Sequence, residues 1–87
     1  MISEYTLDVG ADHLRIDSGE ITAVWIEGLR RPTQLVQVED IWRDKPPFAD
    51  TLGMRGVPNR YVRRGNVIHF YPASIHRWRL LVEYKDG

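Results

Sequence analysis

The sequence predicts an all-β domain: a small antiparallel β-sandwich or barrel of six to seven short strands, with at most one short helix near residues 38–44. Three observations lead there. Turn signals recur roughly every 8–12 residues, the spacing of short strands in sandwiches and barrels. The stretches between them carry β-branched and aromatic residues, several in period-2 alternation. No strand pattern alternates with a long helical one, as a parallel α/β sheet would require. The chain of 87 residues suffices for one core, so 1–87 is expected to be a single β-domain.

Tyr5 to Val9 alternates weakly and opens the series as a first short strand. Gly10-Ala11-Asp12 reads as a turn. His13 to Asp17 alternates polar and apolar, the mark of a half-buried strand. Ser18-Gly19-Glu20 turns the chain into Ile21 to Ile26, whose β-branched and aromatic content predicts a well-buried strand. Glu27-Gly28 and Arg30-Arg31-Pro32 break it.

Leu35 to Val38 suits a strand. Glu39 to Arg43 suits one or two helical turns, with Val38 and Trp42 on one face, and Pro46-Pro47 stops any helix. Phe48 to Asn59, with Gly53, Gly56 and Pro58, reads as a long loop, a feature usually functional or flexible. Tyr61-Val62 begins a strand, Arg64-Gly65-Asn66 turns it, and Val67 to Tyr71 returns. Pro72-Ala73-Ser74 turns again. Arg77 to Lys85 alternates well, with Trp78, Leu80, Val82 and Tyr84 on one face. Its expected hairpin partner is 67–71. Trp78, Leu80, Val82, Tyr84, Ile68, Phe70, Val24 and Ile26 are therefore expected to share a core.

Composition excludes several functions. Without cysteine there is no disulfide framework and no thiolate metal site. No apolar run approaches the roughly 18 residues of a membrane helix, and Met1 to Glu4 lacks the features of a secretory signal, so no membrane partner is expected. Catalytic signatures are missing too. Ser3, Ser18 and Ser74 lie near the terminus or in turns, with no Gly-x-Ser-x-Gly elbow. Glu39-Asp40 suits the start of a helical turn better than paired-carboxylate chemistry. Gly53-Met54-Arg55-Gly56 lacks the lysine and spacing of a phosphate loop. His69 and His76, seven apart across a turn, have no nearby acid to complete a metal site. The reading is non-enzymatic, with no cofactor and no metal.

The net charge of zero conceals an asymmetry. Residues 1–50 hold ten acids and five bases; residues 51–87 hold two acids and seven bases. Arg55, Arg60, Arg63, Arg64, Arg77 and Arg79 fall in a stretch with no acid, Thr51 to Val82. Three explanations are open. The halves can neutralise each other within one domain. The basic half of one copy can meet the acidic half of another. Arginines interleaved with Tyr61, Tyr71 and Trp78 can also bind single-stranded nucleic acid. Arginine outnumbers lysine ten to two, which favours carboxylate pairing at protein interfaces. The candidate interface residues are Arg55, Arg60, Arg63 and Arg64, with Asp44 and Asp50 as acidic partners.

The stretch from Gly28 to Tyr84, with its lead-in strand, carries a pattern. A strand, Ala23-Val24-Trp25-Ile26, ends in Glu27-Gly28. An apolar pair and a short acidic turn follow, Leu35 to Trp42. A glycine–proline loop then leads into a tyrosine, Gly56 to Tyr61, and on to the Gly65-Asn66 turn. Val67 to Pro72 and the alternating Trp78 to Tyr84 close it. Tyr5-Thr6-Leu7 and Asp12 to Ile16 fit the entry segment. This resembles the β-domain of head–tail connector and adaptor proteins of tailed bacteriophages. The resemblance implies a virion structural role, assembly with other virion proteins and copies of itself, and no catalytic residue. The virion, made in the bacterial host cytoplasm, is the implied location. The flanking helices with which larger adaptors contact the portal have no counterpart here, which leaves another virion position open. The alternative is a small β-barrel that binds nucleic acid through the arginine-rich second half.

Overall fold

A computed structural model describes residues 1–16, 19–27, 31–42, 44–49 and 54–85. The fold is all-β, and no α-helix occurs among these residues. The described residues form ten strands, in order β1 (Ile2–Leu7), β2 (His13–Arg15), β3 (Glu20–Glu27), β4 (Thr33–Gln34), β5 (Val36–Gln37), β6 (Arg55–Gly56), β7 (Arg60–Arg64), β8 (Val67–Tyr71), β9 (Ala73–Ser74) and β10 (Trp78–Lys85). Four of them, β4, β5, β6 and β9, have only two residues, which is why the sequence suggests fewer.

The first sheet has the order β1-β10-β3-β4 and is antiparallel throughout. The second has the order β2-β8-β7-β5, with β5 parallel to β7. A small parallel pair joins β6 to β9. Among the described residues neither large sheet closes on itself, and β1, β4, β2 and β5 are the edges.

Both sheets face one core. Leu7, Val24, Ile26, Trp78, Leu80 and Val82 enter it from the first sheet; Tyr61, Ile68 and Phe70 enter from the second. The alternation expected along β10 holds: Trp78, Leu80 and Val82 are buried while Arg79 points to solvent. Tyr84 packs half-buried against the same cluster, and its hydroxyl meets that of Tyr5 at 2.8 Å. The β3–β10 register shifts beside Glu83, leaving Thr22 as the extra residue. The Thr22 hydroxyl donates to the Glu83 carbonyl, and Ile21 returns to the core side opposite Tyr84. Eight core residues were expected together, and the structure brings them together.

The expected β8–β10 hairpin does not form. β10 lies between β1 and β3, whereas β8 lies between β2 and β7. Pro72, which has no N–H, ends the β8 ladder. The chain then crosses to the other sheet through Ala73–Ser74. Ser74 is fully buried there, its N–H bonded to Ala11 and its carbonyl accepting from Gly10. Leu35 makes a second crossing. Its N–H donates to Val24 in the first sheet, and the next N–H, of Val36, donates to Asn59 beside the second. Leu35 is buried while its four neighbours Thr33, Gln34, Val36 and Gln37 are exposed.

The turn expected at Arg64-Gly65-Asn66 is a two-residue hairpin between β7 and β8. Gly65 has φ 56° and Asn66 does not share a positive φ, the pattern of a type II′ turn with glycine first. The helical turn expected at 39–43 is absent from its described part. Val38 donates instead to the Tyr61 carbonyl, and the Asp40 carboxylate accepts the Trp42 N–H at 3.2 Å. That local side-chain bond competes with helix formation. The expected Phe48–Asn59 loop contains β6. The turn expected at Ser18 falls partly outside the described residues.

Candidate functional site

β7 alternates between two environments. Tyr61 pairs with Phe70 and faces the core; Val62 pairs with His69 and faces away from it. An outward valine should be exposed, yet Val62 is only 2% exposed. Phe48, at 8%, is also buried without belonging to the main core. Residues 38–42 and 44–49 are tied to this side of the sheet. Val38 hydrogen-bonds Tyr61 at one end. Further on, Arg64 on β7 grips Asp40 with two guanidinium nitrogens, Nε to Oδ2 at 2.5 Å and Nη2 to Oδ1 at 2.9 Å. Its Nη1 also donates to the Lys45 carbonyl at 2.7 Å. Residues 38–42 and 44–49 are thereby laid across the outer face of the second sheet as a cover.

Aromatic rings fill this second layer. Trp42 and Phe48 have centroids 4.7 Å apart, and Phe48 and Tyr71 5.4 Å. Phe48 has φ 59°, a conformation unfavourable for a bulky residue, so its ring contacts hold it there against a local cost of about 1–3 kcal/mol. A groove of about 320 Å³ opens beside the cover. Val38, Ile41, Trp42, Phe48 and Tyr71 form apolar walls, and the exposed Arg60 and Glu39 stand at its mouth. Ile41 is 70% exposed, and with Trp42 it also borders a second hollow beside Asp44 and Lys45. Exposed Val36, opposite Arg60 in the β5–β7 pair, extends the apolar surface.

The charged residues singled out from the sequence divide into two groups. Arg64 is committed to Asp40 and Lys45, and Arg63 donates to the carbonyls of Gly65 and Gly19. Arg77 pairs with Asp8 at 3.2 Å; Arg79 lies between Glu4 at 2.9 Å and Glu27 at 3.5 Å. Each of these arginine–carboxylate pairs joins the basic half to the acidic half within one chain. Much of the charge asymmetry is therefore neutralised internally. Arg55 and Arg60 make no side-chain hydrogen bond or ion pair with described residues. Arg60 is in the groove, Asp44 is in the adjoining hollow, and Arg55 is exposed on β6. Asp50 lies outside the described residues.

Arg64 holds the Asp40 carboxyl below its usual range, and Asp40 in turn raises the Arg64 guanidinium. The histidines are arranged differently from their spacing. His69 faces His13 across the β2–β8 pair, with ring centroids 6.0 Å apart, and His76 packs edge-on to Trp78 at 5.8 Å. Partial burial lowers the His69 pKa, and the charges of His13 and Arg64 lower it further against the opposing pull of Asp12 and Asp40. His13 Nδ1 is 2.8 Å from the Asp12 carboxylate. Among the described residues no cluster of three or more histidine or acidic side chains is arranged to hold a metal ion.

Sequence reasoning missed the groove walls. The signal was the placing of Ile41, Trp42 and Phe48 around Pro46-Pro47, three large apolar residues in a stretch without strand alternation. Comparison of the chain with models of known families, with characterised proteins and with solved structures finds no match in any of the three.

Proposed function

We propose that this chain is a non-enzymatic virion structural protein of a tailed bacteriophage. It assembles through protein–protein contacts at the head–tail connector or another repeated virion position, with other virion proteins and copies of itself as partners. The observation that carries the reading is the groove at Ile41, Trp42, Phe48 and Tyr71. Its apolar walls, its exposed isoleucine and an arginine without a partner among the described residues make the anatomy of an interface centre rather than of a solvated loop. The resemblance of Gly28 to Tyr84 to connector β-domains supplies the virion setting. We read the two sheets as the layers of a β-sandwich. They share one core, and the shortest dimension of 17 Å accommodates two layers about 10 Å apart. Modest contacts of this kind become strong when repeated around a symmetric particle.

The nucleic-acid alternative draws less support. Arg63, Arg64, Arg77 and Arg79 have partners within the chain, and Tyr61 and Trp78 are buried in the core rather than offered for stacking. The test is quantitative mass spectrometry of purified particles from a host carrying the gene. The proposal expects the chain at a fixed copy number well above trace, and immunogold label concentrated at one particle position. Particles that lack the chain contradict it.

A further inference from the structure

We propose that the groove beside β7 takes a protein segment that presents a large apolar side chain next to a carboxylate. The inference rests on the interaction reading above and specifies the chemistry of the partner. Size comes first. About 320 Å³ is at the small end of ligand pockets, enough for one or two large side chains and little more. The walls come second. Val38, Ile41, Trp42, Phe48 and Tyr71 give an aromatic-rich apolar surface, which gains most by excluding water from another apolar group.

Charge then selects the neighbour of that group. Arg63, Arg64, Arg77 and Arg79 each have internal acceptors, whereas Arg60 has none among the described residues. A planar guanidinium at the mouth of an apolar groove suits a carboxylate, which it can bind with two parallel hydrogen bonds. Glu39 shares the groove and repels a second acid, so it sets the direction of the segment. One acid beside one apolar anchor is the pattern that satisfies both.

The test uses the full chain and three blocked pentapeptides: Ser-Leu-Trp-Asp-Ser and twins with Asn or Lys in place of Asp. Binding is followed by backbone amide shifts. The Asp peptide should move resonances of 36–42, 44–48, Arg60 and Tyr71, and bind at least about tenfold more tightly than the Lys twin. Arg60→Glu should invert that order, with unchanged spectral dispersion showing that the fold persists. Equal binding of all three peptides overturns the proposal. So does the absence of shifts at about 1 mM peptide, a concentration that detects even weak sites. Tighter binding of a single-stranded oligothymidylate at the same resonances also overturns it. Particle incorporation that depends on Ile41 while the peptides fail removes only the acidic-partner chemistry and leaves the assembly reading standing.

Discussion

Arg64 and Asp40 form a two-pronged ion pair that ties the aromatic cover to β7, with nitrogen–oxygen distances of 2.5 and 2.9 Å. The same guanidinium reaches the Lys45 carbonyl, so one side chain fastens the cover at two points. The pair is on the surface, and its role is local: it positions Trp42 and Phe48 rather than carrying the fold.

Asp40→Asn should therefore loosen the cover and leave the core intact. Amide exchange across 38–42 and 44–49 should accelerate while the protection of β10 stays unchanged. The folded-state pKa of Asp40 is lowered, chiefly by the Arg64 hydrogen bonds. Its contribution is thus present above the ordinary carboxylate range and lost as pH falls through the lowered value. In the wild-type chain the protection of 38–42 and 44–49, corrected for the intrinsic exchange rate at each pH, should fall only in that acid window, and the variant should lack that acid-dependent step.

His69 adds a second pH dependence, at higher pH. Its folded pKa is lowered, first by burial, so the unfolded chain binds the proton more readily. The sign follows: stability is constant above the ordinary imidazole value of about 6.5 and falls as pH drops below it. Urea midpoints measured at about pH 7.5 and 5.5 should differ in the wild type, with the lower midpoint in acid. His69→Gln should shrink the difference.

Trp78 tests the core. It is 6% exposed, and its indole N–H is buried with no hydrogen-bond partner among the described residues. Trp78→Ala should cost about 3–5 kcal/mol, most of the stability of a domain this small. Trp78→Phe keeps a ring in place and removes the orphan donor, so its cost should stay below about 2 kcal/mol. Equilibrium urea unfolding of both variants checks the ranking; equal costs would mean that the cavity matters less than the lost indole.

The core was legible in the sequence because it is written locally. Trp78, Leu80 and Val82 recur at the strand period, with Arg79 between two of them. The pairing of β10 was not legible. Its neighbours β1 and β3 lie far away in the chain, and the crossing through Ala73–Ser74 depends on bonds to Gly10 and Ala11. Nor was the second apolar layer. Tyr61-Val62 looks like an ordinary strand start, and only the structure shows that the valine faces away from the main core. The arginines were visible as a group. Their division into Arg63, Arg64, Arg77 and Arg79, spent within the chain, and Arg60, which has no partner among the described residues, required the partners contributed by distant segments.

The groove is the centre of the functional account, and Ile41 is its most exposed apolar wall. Ile41→Asp should change stability by no more than about 0.5 kcal/mol, because the side chain is already in solvent. The decisive measurement is the copy number of the Ile41→Asp chain in purified particles, compared with the wild-type chain made at the same level. At least a roughly tenfold loss is predicted, corresponding to about 1.4 kcal/mol at a single contact. Incorporation of the folded variant at the wild-type level would contradict the account.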